Sequence, residues 1–291
     1  MIADLRERTL NGFGFLDPVG KAVQSWLGQI EAAGGPGATK FKVFLNGTWF
    51  GHPLHPAVTN VALGAWSGSA LLDLADGVRG GELGRAADVL VALGCAGGVG
   101  AAASGLADWQ DQEGDQRDLG TAHAIINGGA LLLFSTSLAL RLKGSRGPAF
   151  VLSLLGLGAA GAGAYLGGHL VFRLGTSVNR NAFTSGPEGW RVVADESEVA
   201  EGAQVRKQVG NNQVLLTRLD GEFCAVSAVC SHAGGPLDQL PIEGGQVHCP
   251  RHGSSFAVRS GRVTHGPATA AITAFDVRIR EGKVEIRRLP S

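Results

Sequence analysis

Two short groups of cysteine and histidine stand out in the C-terminal part of the chain. The first is Cys230-Ser231-His232, and the second, Cys249-Pro250-Arg251-His252, follows after residues 233–248. Two thiolates and two neutral imidazoles can bind a [2Fe–2S] cluster, with the thiolates on one iron and the imidazoles on the other. Such a cluster has a raised reduction potential, because neutral ligands have replaced anionic ones. The same four side chains also fit one tetrahedral zinc ion, so the ligand types alone leave two chemistries open.

The residues around both groups resemble the Rieske ferredoxin family over roughly residues 188–291. The first loop, CSHAGGPLDQ, is similar to the family's C-x-H followed by a Gly-Pro-Leu stretch. The second, CPRHGSSFAVRSGRV, is similar to C-P-x-H-G-S-x-F with a following glycine turn. A further segment, Gly266-Pro267-Ala268, resembles the proline loop that covers the cluster. The resemblance implies a [2Fe–2S] cluster rather than zinc, with four ligands and three residues beside them: Cys230, His232, Cys249 and His252, then Ser254, Gly266 and Pro267.

Departures from the family pattern indicate which branch the chain is similar to. Quinol-oxidising members carry a disulfide between the two loops, but the corresponding positions here are Gly235 and Arg251. Those members also have a tyrosine near a ligand sulfur, where this chain has Phe256. Ser254, by contrast, retains a hydroxyl that could donate a hydrogen bond to a cluster sulfide. Fewer donors stabilise the reduced cluster less, which implies a potential in the lower part of the Rieske range. A carrier ferredoxin is therefore favoured over a quinol oxidase subunit.

The elements that must hold these loops are short and rich in β-branched and aromatic residues. Runs such as WRVVA, QVLLTRL, EFCAVSAV and AFDVRIR alternate with glycine-containing turns such as DGE, EGG and REGK. This spacing predicts a small antiparallel β domain at residues 188–291, preceded by a polar, turn-rich linker at residues 175–187.

Four long apolar stretches fill the middle of the chain, at residues 57–74, 86–107, 119–142 and 148–172. Each approaches the ~20 residues that cross a hydrocarbon core, and their Gly, Ala and Ser content allows close helix packing. The segments GHPLHPAVTNVALGAW, THAIIN and YLGGHLVFRLG resemble a little-characterised family of bacterial four-helix membrane domains over about residues 40–180. We predict a multidomain chain, in which an all-α four-helix transmembrane bundle precedes a small all-β Rieske-type domain.

The predicted bundle occupies residues 52–174 and leaves residues 1–51 as an N-terminal segment. Residues 13–31 of that segment are amphipathic. Such a pattern is typical of a helix that lies along the membrane surface, or of a helix that packs on the rest of the protein.

Four histidines belong to the membrane half. His52 and His55 precede the first predicted span, His123 starts the third and His169 ends the fourth. Because successive spans cross the membrane in alternating directions, all four histidines are expected on the side of the β domain. Ionisable residues at membrane depth are rare and invite a functional interpretation. Three interpretations stay open: a b-type haem bound by two of His55, His123 and His169, a quinone pocket in which histidine handles protons, or polar residues that cap helix ends.

The distribution of charge argues against nucleic acid as a partner and does not decide the orientation of the bundle in the membrane. The chain has 25 basic and 25 acidic residues, so no basic surface predicts binding to nucleic acid. Basic residues also divide almost evenly between the two sides of the predicted bundle, so the positive-inside rule does not decide its orientation. The basic connection at residues 143–147 favours a cluster outside the cytoplasm, whereas the absence of a twin-arginine pair near the N-terminus favours a cluster inside it. Of these two orientations, we expect the cluster on the cytoplasmic side of a bacterial cytoplasmic membrane.

Together these features predict a membrane-anchored one-electron carrier that exchanges electrons with redox partner proteins. It would act as an electron-transfer protein or as a subunit of an oxidoreductase. One alternative is a two-centre redox protein that passes electrons between the cluster and a haem b or quinone in the membrane half. Another is a redox sensor, in which the oxidation state of the cluster changes how the β domain docks.

Overall fold

The computed structural model describes residues 12–79 and 82–289, which form two compact units. The first unit comprises the chain up to Leu45 together with Pro53–Thr176. The second comprises Asn46–His52 together with the chain from Ser177 onwards. The first is helical and the second is built of β-strands, so the predicted fold class is confirmed.

Within the described residues, the first unit contains five α-helices. They are α1 (Asp17–Asn46), α2 (Leu54–Arg79), α3 (Gly84–Trp109), α4 (Gly114–Leu142) and α5 (Arg146–Phe172). Their connections are short, and α2 packs mainly against α3, as α4 does against α5. Helix α1 extends beyond the predicted residues 13–31 and is kinked at Gly35, whose backbone is left-handed (φ 56°) and precedes Pro36.

Glycines let aromatic side chains fill the centre of the four-helix part. The rings of Trp66 and Phe134 stack with their centroids 4.3 Å apart. A Cβ on Gly94 would lie 2.3 Å from the Trp66 ring, and one on Gly156 would lie 2.9 Å from the Phe134 ring. The high glycine content of these helices therefore allows close packing around two large side chains.

Three helices of the described residues, α3, α4 and α5, are long and apolar enough to cross a membrane. Apolar side chains such as Val89, Leu132 and Leu155 are exposed on their outer faces. Helix α2 corresponds to the first of the four predicted spans but does not reach the same hydropathy. Its apolar residues are interrupted by Asn60 and by a Trp-Ser-Gly-Ser run at residues 66–69.

A buried charge cluster joins the four helices α2–α5. The guanidinium of Arg141 on α4 donates to Asp73 on α2 (2.8 Å) and to Asp88 on α3 (3.2 Å). It also donates to the hydroxyl of Ser153 on α5 at 3.3 Å. Its side chain is only 1% exposed, so these partners supply the compensation that a buried charge needs.

Helix α1 is held by polar contacts to the connection between α3 and α4. The amide of Gln24 donates to the carbonyl oxygens of Trp109 (3.1 Å) and Gln112 (2.9 Å). Lys42 pairs with Asp111 at 2.7 Å. One carboxylate of this connection is therefore neutralised within its own unit.

In the described residues, the second unit contains nine strands in two antiparallel sheets. The strands are β1 (Arg191–Asp195), β2 (Gln204–Val209), β3 (Asn212–Leu219), β4 (Glu222–Ser227), β5 (Gln246–His248), β6 (Ser255–Ala257), β7 (Val263–His265), β8 (Ala274–Arg280) and β9 (Lys283–Arg288). One sheet has the order β1-β9-β8-β4-β3-β2 and the other the order β5-β6-β7. A buried cluster contains residues from both sheets, including Leu215, Val226, Val247 and Phe256, together with Cys230 and Cys249.

The segment expected as a linker is hydrogen-bonded to the β unit. Asn181 is 5% exposed, and its side-chain amide donates to the carbonyl of Val229 at 2.8 Å. Its amide oxygen accepts from the N–H of Thr273 at 3.3 Å, and the N–H of Arg288 donates to the carbonyl of Pro187 at 2.7 Å. Residues 177–187 thus belong structurally to this unit.

Candidate metal centre

The two cysteine-histidine loops share one backbone conformation. In each, the cysteine N–H donates to the carbonyl oxygen five residues later, at 2.8 Å from Cys230 to Gly235 and from Cys249 to Ser254. The N–H four residues after each cysteine donates back to the cysteine carbonyl, at 3.0 and 3.1 Å. The donating residues, Gly234 and Gly253, are both left-handed, with φ values of 73° and 78°. Both turns therefore depend on glycine at the same place.

The two thiols lie together in a setting that favours a thiolate. Cys230 is 1% exposed and Cys249 is 3% exposed. The Cys230 thiol donates to the Cys249 sulfur. This contact, together with two backbone N–H groups, holds the pKa of Cys249 below its usual value. The pKa of Cys230 is raised, first by this shared proton and then by burial. Each sulfur accepts from the N–H groups two and three residues further along, donors that stabilise anionic sulfur.

The two histidines of the loops form a second pair. The ring centroids of His232 and His252 are 5.1 Å apart, the rings are nearly perpendicular, and both side chains are half-buried. Within residues 12–79 and 82–289, no three His, Cys, Asp or Glu side chains converge on a point that could hold a single metal ion. The thiols form one pair and the imidazoles another, an arrangement that fits a two-iron cluster with one iron on each pair.

Gly235 leaves room for a ligand sulfur. A Cβ at this position would lie 2.7 Å from Sγ of Cys249 and 3.3 Å from the side chain of Arg251. The two positions that correspond to the disulfide of quinol-oxidising proteins are thus neighbours here, and neither is a cysteine. The residues present fit a cluster bound by thiolates in a glycine cradle.

Ser254 connects the second loop to the proline loop. Its side chain is fully buried, and its hydroxyl oxygen accepts from the N–H of Ala268 at 3.0 Å. Because this bond uses the oxygen as acceptor, the hydroxyl proton is left to donate. Gly266 and Pro267, directly before Ala268, are also buried, and Phe256 is buried without a hydroxyl of its own.

Residues outside the motifs brace these loops, and the sequence analysis missed them. The N–H of Arg180 donates to the carbonyl of Ser231 at 2.9 Å, and the Ser231 hydroxyl donates to the carbonyl of Ala270 at 2.6 Å. The hydroxyl of Thr48 donates to the carbonyl of Ala268 at 3.2 Å. Thr48 and Arg180 are far from the cysteines in sequence, so no local spacing could have indicated them.

In the helical unit, the structure brings His55 and His123 together. Their ring centroids are 6.0 Å apart. Nδ1 of His55 lies 2.8 Å from the carbonyl oxygen of Ala101, and Nδ1 of His123 lies 2.9 Å from that of Gly163. Since a carbonyl oxygen can only accept, Nδ1 carries the proton in both rings, and Nε2 is the acceptor in the neutral form.

Glycines also make room for this histidine pair, whereas His169 stands apart from it. A Cβ on Gly105 would lie 2.7 Å from Nδ1 of His55, and one on Gly167 would lie 3.2 Å from the His123 ring. The ring of His169 instead packs on Tyr165 of its own helix, with the centroids 4.7 Å apart. Of the three proposed haem or quinone histidines, the structure therefore brings two together.

Comparison with known proteins confirms both predicted resemblances. Residues 189–276 match the Rieske [2Fe-2S] domain family, which implies a [2Fe–2S] cluster. Residues 51–180 match a family described as predicted membrane protein (DUF2231).

Curated relatives match about a third of this chain. Apoptosis-inducing factor 3 of Mus musculus is 36% identical over 88 residues, which are 30% of this chain but only 14% of that protein. Ferredoxin CarAc of Metapseudomonas resinovorans is 29% identical over 98 residues, 33% of this chain and 92% of that protein. The ferredoxin component of biphenyl 2,3-dioxygenase from Rhodococcus jostii (strain RHA1) is 30% identical over 87 residues, 30% of this chain and 81% of that protein.

Proposed function

Because the chain belongs to the Rieske [2Fe–2S] family through its C-terminal unit, we propose that it is a membrane-anchored, ferredoxin-like carrier of single electrons. The observation that supports this most is the pair of matching loops, which brings two buried thiols and two half-buried imidazoles together. When bound, the cluster supplies the one-electron chemistry. The protein supplies the ligands, the hydrogen bonds and the access for partners.

The four side chains of the loops have distinct roles in this proposal. Cys230 and Cys249 bind one iron, where backbone N–H groups offset the negative charge of the sulfurs. His232 and His252 bind the other iron and, being half-buried, form the side from which a partner reaches the cluster. Ser254 would donate a hydrogen bond from its hydroxyl to a cluster sulfide, and Gly266 and Pro267 would cover the site.

Single substitutions with matched controls test the ligand assignment. C230S and H252A should each lose iron and the EPR signal of the dithionite-reduced cluster, while circular dichroism shows that the helices remain. The controls C95S and H265A change the same residue types outside the loops and should keep both signals. If either loop variant retained its iron and its spectrum, the assignment would be wrong.

The ferredoxin-like character rests on the missing donors and the missing disulfide. Rieske potentials span about −150 to +300 mV, and hydrogen bonds to the sulfurs raise them. With Phe256 in place of a tyrosine, and with Gly235 beside Arg251, we expect a midpoint potential in the lower part of that range. A redox titration followed by circular dichroism measures it, and a value near the upper end would contradict the proposal.

Membrane attachment is supported by the exposed apolar surface of the helical unit. Besides the outer faces of α3–α5, helix α1 exposes an apolar stripe at spacings of three and four residues, opposite its polar contacts. We propose that α1 lies in the membrane interface along this stripe, which is formed by Val19, Val23, Trp26 and Ile30 and is continued by Phe15 just before the helix begins. In vesicles of brominated lipid, W26F should remove part of the quenchable tryptophan fluorescence. Unchanged quenching would place α1 away from lipid.

The β unit is proposed to lie on the cytoplasmic side of a bacterial membrane and to exchange electrons with redox partner proteins. Two of the relatives are ferredoxins, one of them a component of a dioxygenase. By analogy, the acceptor or donor docks over His232 and His252. Protease digestion of the β unit in inverted but not in right-side-out vesicles would support this orientation, and the reverse would refute it.

A second candidate is a two-centre redox protein, and the His55–His123 pair is the observation that favours it. Histidines that bind a metal commonly donate their other ring N–H to a backbone carbonyl, as both of these rings do. The proposed second centre is a haem b or, without metal, a quinone. A reduced-minus-oxidised visible spectrum should then show haem bands that H55A and H123A abolish and H169A retains. If no haem bands appear, extraction of the purified protein and analysis for quinone tests whether the second centre is a quinone.

A further inference from the structure

We propose that Arg251 is a docking residue for the redox partner, and that this partner presents carboxylate groups to the cluster loops. The inference rests on the proposed function, because it names the chemistry of the surface that meets His232 and His252. It concerns recognition of the partner rather than binding of the cluster.

Arg251 carries the only fixed charge in the three segments around the proposed cluster ligands. These segments are residues 230–237, residues 249–256 and residues 266–272. Apart from the cysteines and histidines, they consist of uncharged residues and Arg251. No aspartate or glutamate within them offsets its charge. Among the loop residues, a partner that approaches the two histidines therefore meets a single positive charge.

The side chain of Arg251 is held at its base and is exposed. The N–H of this residue donates to the sulfur of Cys249. A Cβ on Gly235 would lie 3.3 Å from Cδ of Arg251 and 3.4 Å from its Cγ, so the aliphatic stem lies against the first loop. The residue is exposed to solvent, and within residues 12–79 and 82–289 no carboxylate pairs with its guanidinium. The stem is thus placed before a partner binds, which lowers the entropy that docking costs.

A carboxylate is the group that this side chain suits. The planar guanidinium of arginine binds carboxylates through two parallel hydrogen bonds, which fix orientation as well as adding affinity. Arg251 directly precedes His252, so a carboxylate bound there brings the partner over the half-buried imidazole pair. The chain carries 25 basic and 25 acidic residues, so local charge rather than net charge decides the approach. An acidic partner surface is therefore favoured over a basic one.

Two cobalt(III) complexes of opposite charge test this with the full-length protein in a neutral detergent. Tris(oxalato)cobaltate(III) carries three negative charges and is covered by carboxylate groups, whereas hexaamminecobalt(III) carries three positive charges. Each takes one electron from the reduced cluster and becomes cobalt(II), and stopped-flow absorbance of the cluster gives the second-order rate constant. In the wild type, added salt should slow the reaction with the anion and speed the reaction with the cation.

Removing the charge in R251Q should shift the two rate constants in opposite directions. For a triply charged complex about 7 Å from the guanidinium, Coulomb's law with screening at 0.1 M ionic strength predicts a change of about fourfold for each. At 1 M ionic strength the change should fall to about 1.3-fold, because the Debye length is then about 3 Å. R251K retains the charge and should resemble the wild type with both complexes.

The matched control is R280Q, which removes an exposed arginine at the far end of β8. Arg280 lies six residues, or about 20 Å, along the strand from Ala274, which packs in the same core as Cys230 and Cys249. R280Q should therefore change neither rate constant. A change of midpoint potential in R251Q would alter the driving force for both complexes in the same direction, and so differs from an effect on docking.

Three results would overturn the inference: unchanged rate constants in R251Q, shifts of the same sign with both complexes, or equal shifts in R251Q and R280Q. If R251Q lost its cluster, the salt dependence of the wild type would decide. A rate with the anion that falls as salt is added would then support the inference, and a constant or rising rate would overturn it. Absence of a cluster from the wild type would instead refute the proposed function.

Discussion

Replacing Gly235 by alanine tests the cluster cradle with a single methyl group. A Cβ at this position would lie 2.7 Å from Sγ of Cys249. Carbon atoms in ordinary contact are about 3.5–4.0 Å apart, and sulfur is no smaller, so the thiol must move by about 1 Å. Gly235 does not have a left-handed backbone, so strain of the main chain does not confuse the result.

The required movement is large compared with what a metal site tolerates. Metal–ligand distances hold within about 0.2 Å, so a displacement of about 1 Å removes Cys249 from the coordination sphere or tilts the whole loop. Removing a hydrogen bond to a metal ligand lowers metal affinity about 10–100-fold. Because G235A displaces a proposed ligand itself, we expect it to weaken cluster binding by at least that factor.

The assay compares iron content and the EPR signal of the reduced protein with its far-ultraviolet circular dichroism. G235A should lose the first two and keep the third, because the carbonyl of Gly235 still accepts from Cys230. The matched control is G189A, where an added Cβ meets nothing within 4 Å. Full iron occupancy with an unchanged EPR line shape in G235A would refute the geometry of the cradle.

Two further predictions concern stability. D73N leaves Arg141 buried with Asp88 as its remaining carboxylate. It should therefore destabilise the helical unit by about 3 kcal/mol, the lower end of the range for breaking a buried ion pair. An unchanged thermal unfolding temperature of D73N in detergent would contradict this. The pKa of Glu198 is lowered, chiefly by the backbone N–H of Asp195, so its contribution to stability is present above its ordinary pKa and is lost as the pH falls through the lowered value. E198Q should therefore lower the unfolding temperature of the β unit at neutral pH and have progressively less effect in acid, and a pH-independent difference would argue against the interaction.

Local sequence patterns were sufficient for the cluster loops and for the helices α2–α5. Each cluster loop is specified within a few residues of its cysteine, since its bonds run only four or five residues along the chain. The four helices α2–α5 follow from apolar runs of membrane length. The same reasoning ended α1 too early. It followed only the amphipathic stretch to residue 31, whereas the helix continues through the kink at Gly35.

Contacts between distant parts of the chain could not be predicted. Spacing placed His55, His123 and His169 on one side of the membrane, but only the rotation of each helix decides that the first two meet. Likewise, residues 175–187 have the composition of a linker, and nothing local indicates that Asn181 becomes buried. Such contacts depend on tertiary packing, which overrides the structure that the local amino-acid composition predicts.

The β unit is discontinuous in sequence, and this affects how its redox properties should be measured. A soluble fragment that begins after α5 would contain all four proposed cluster ligands, both glycine turns and Ser254. It would lack residues 46–52, and with them the hydroxyl that Thr48 places on Ala268. The fragment would therefore have an altered site even if it folded fully. A potential measured on it would describe a different protein from the membrane-bound one, and the difference between the two would report what the missing segment contributes.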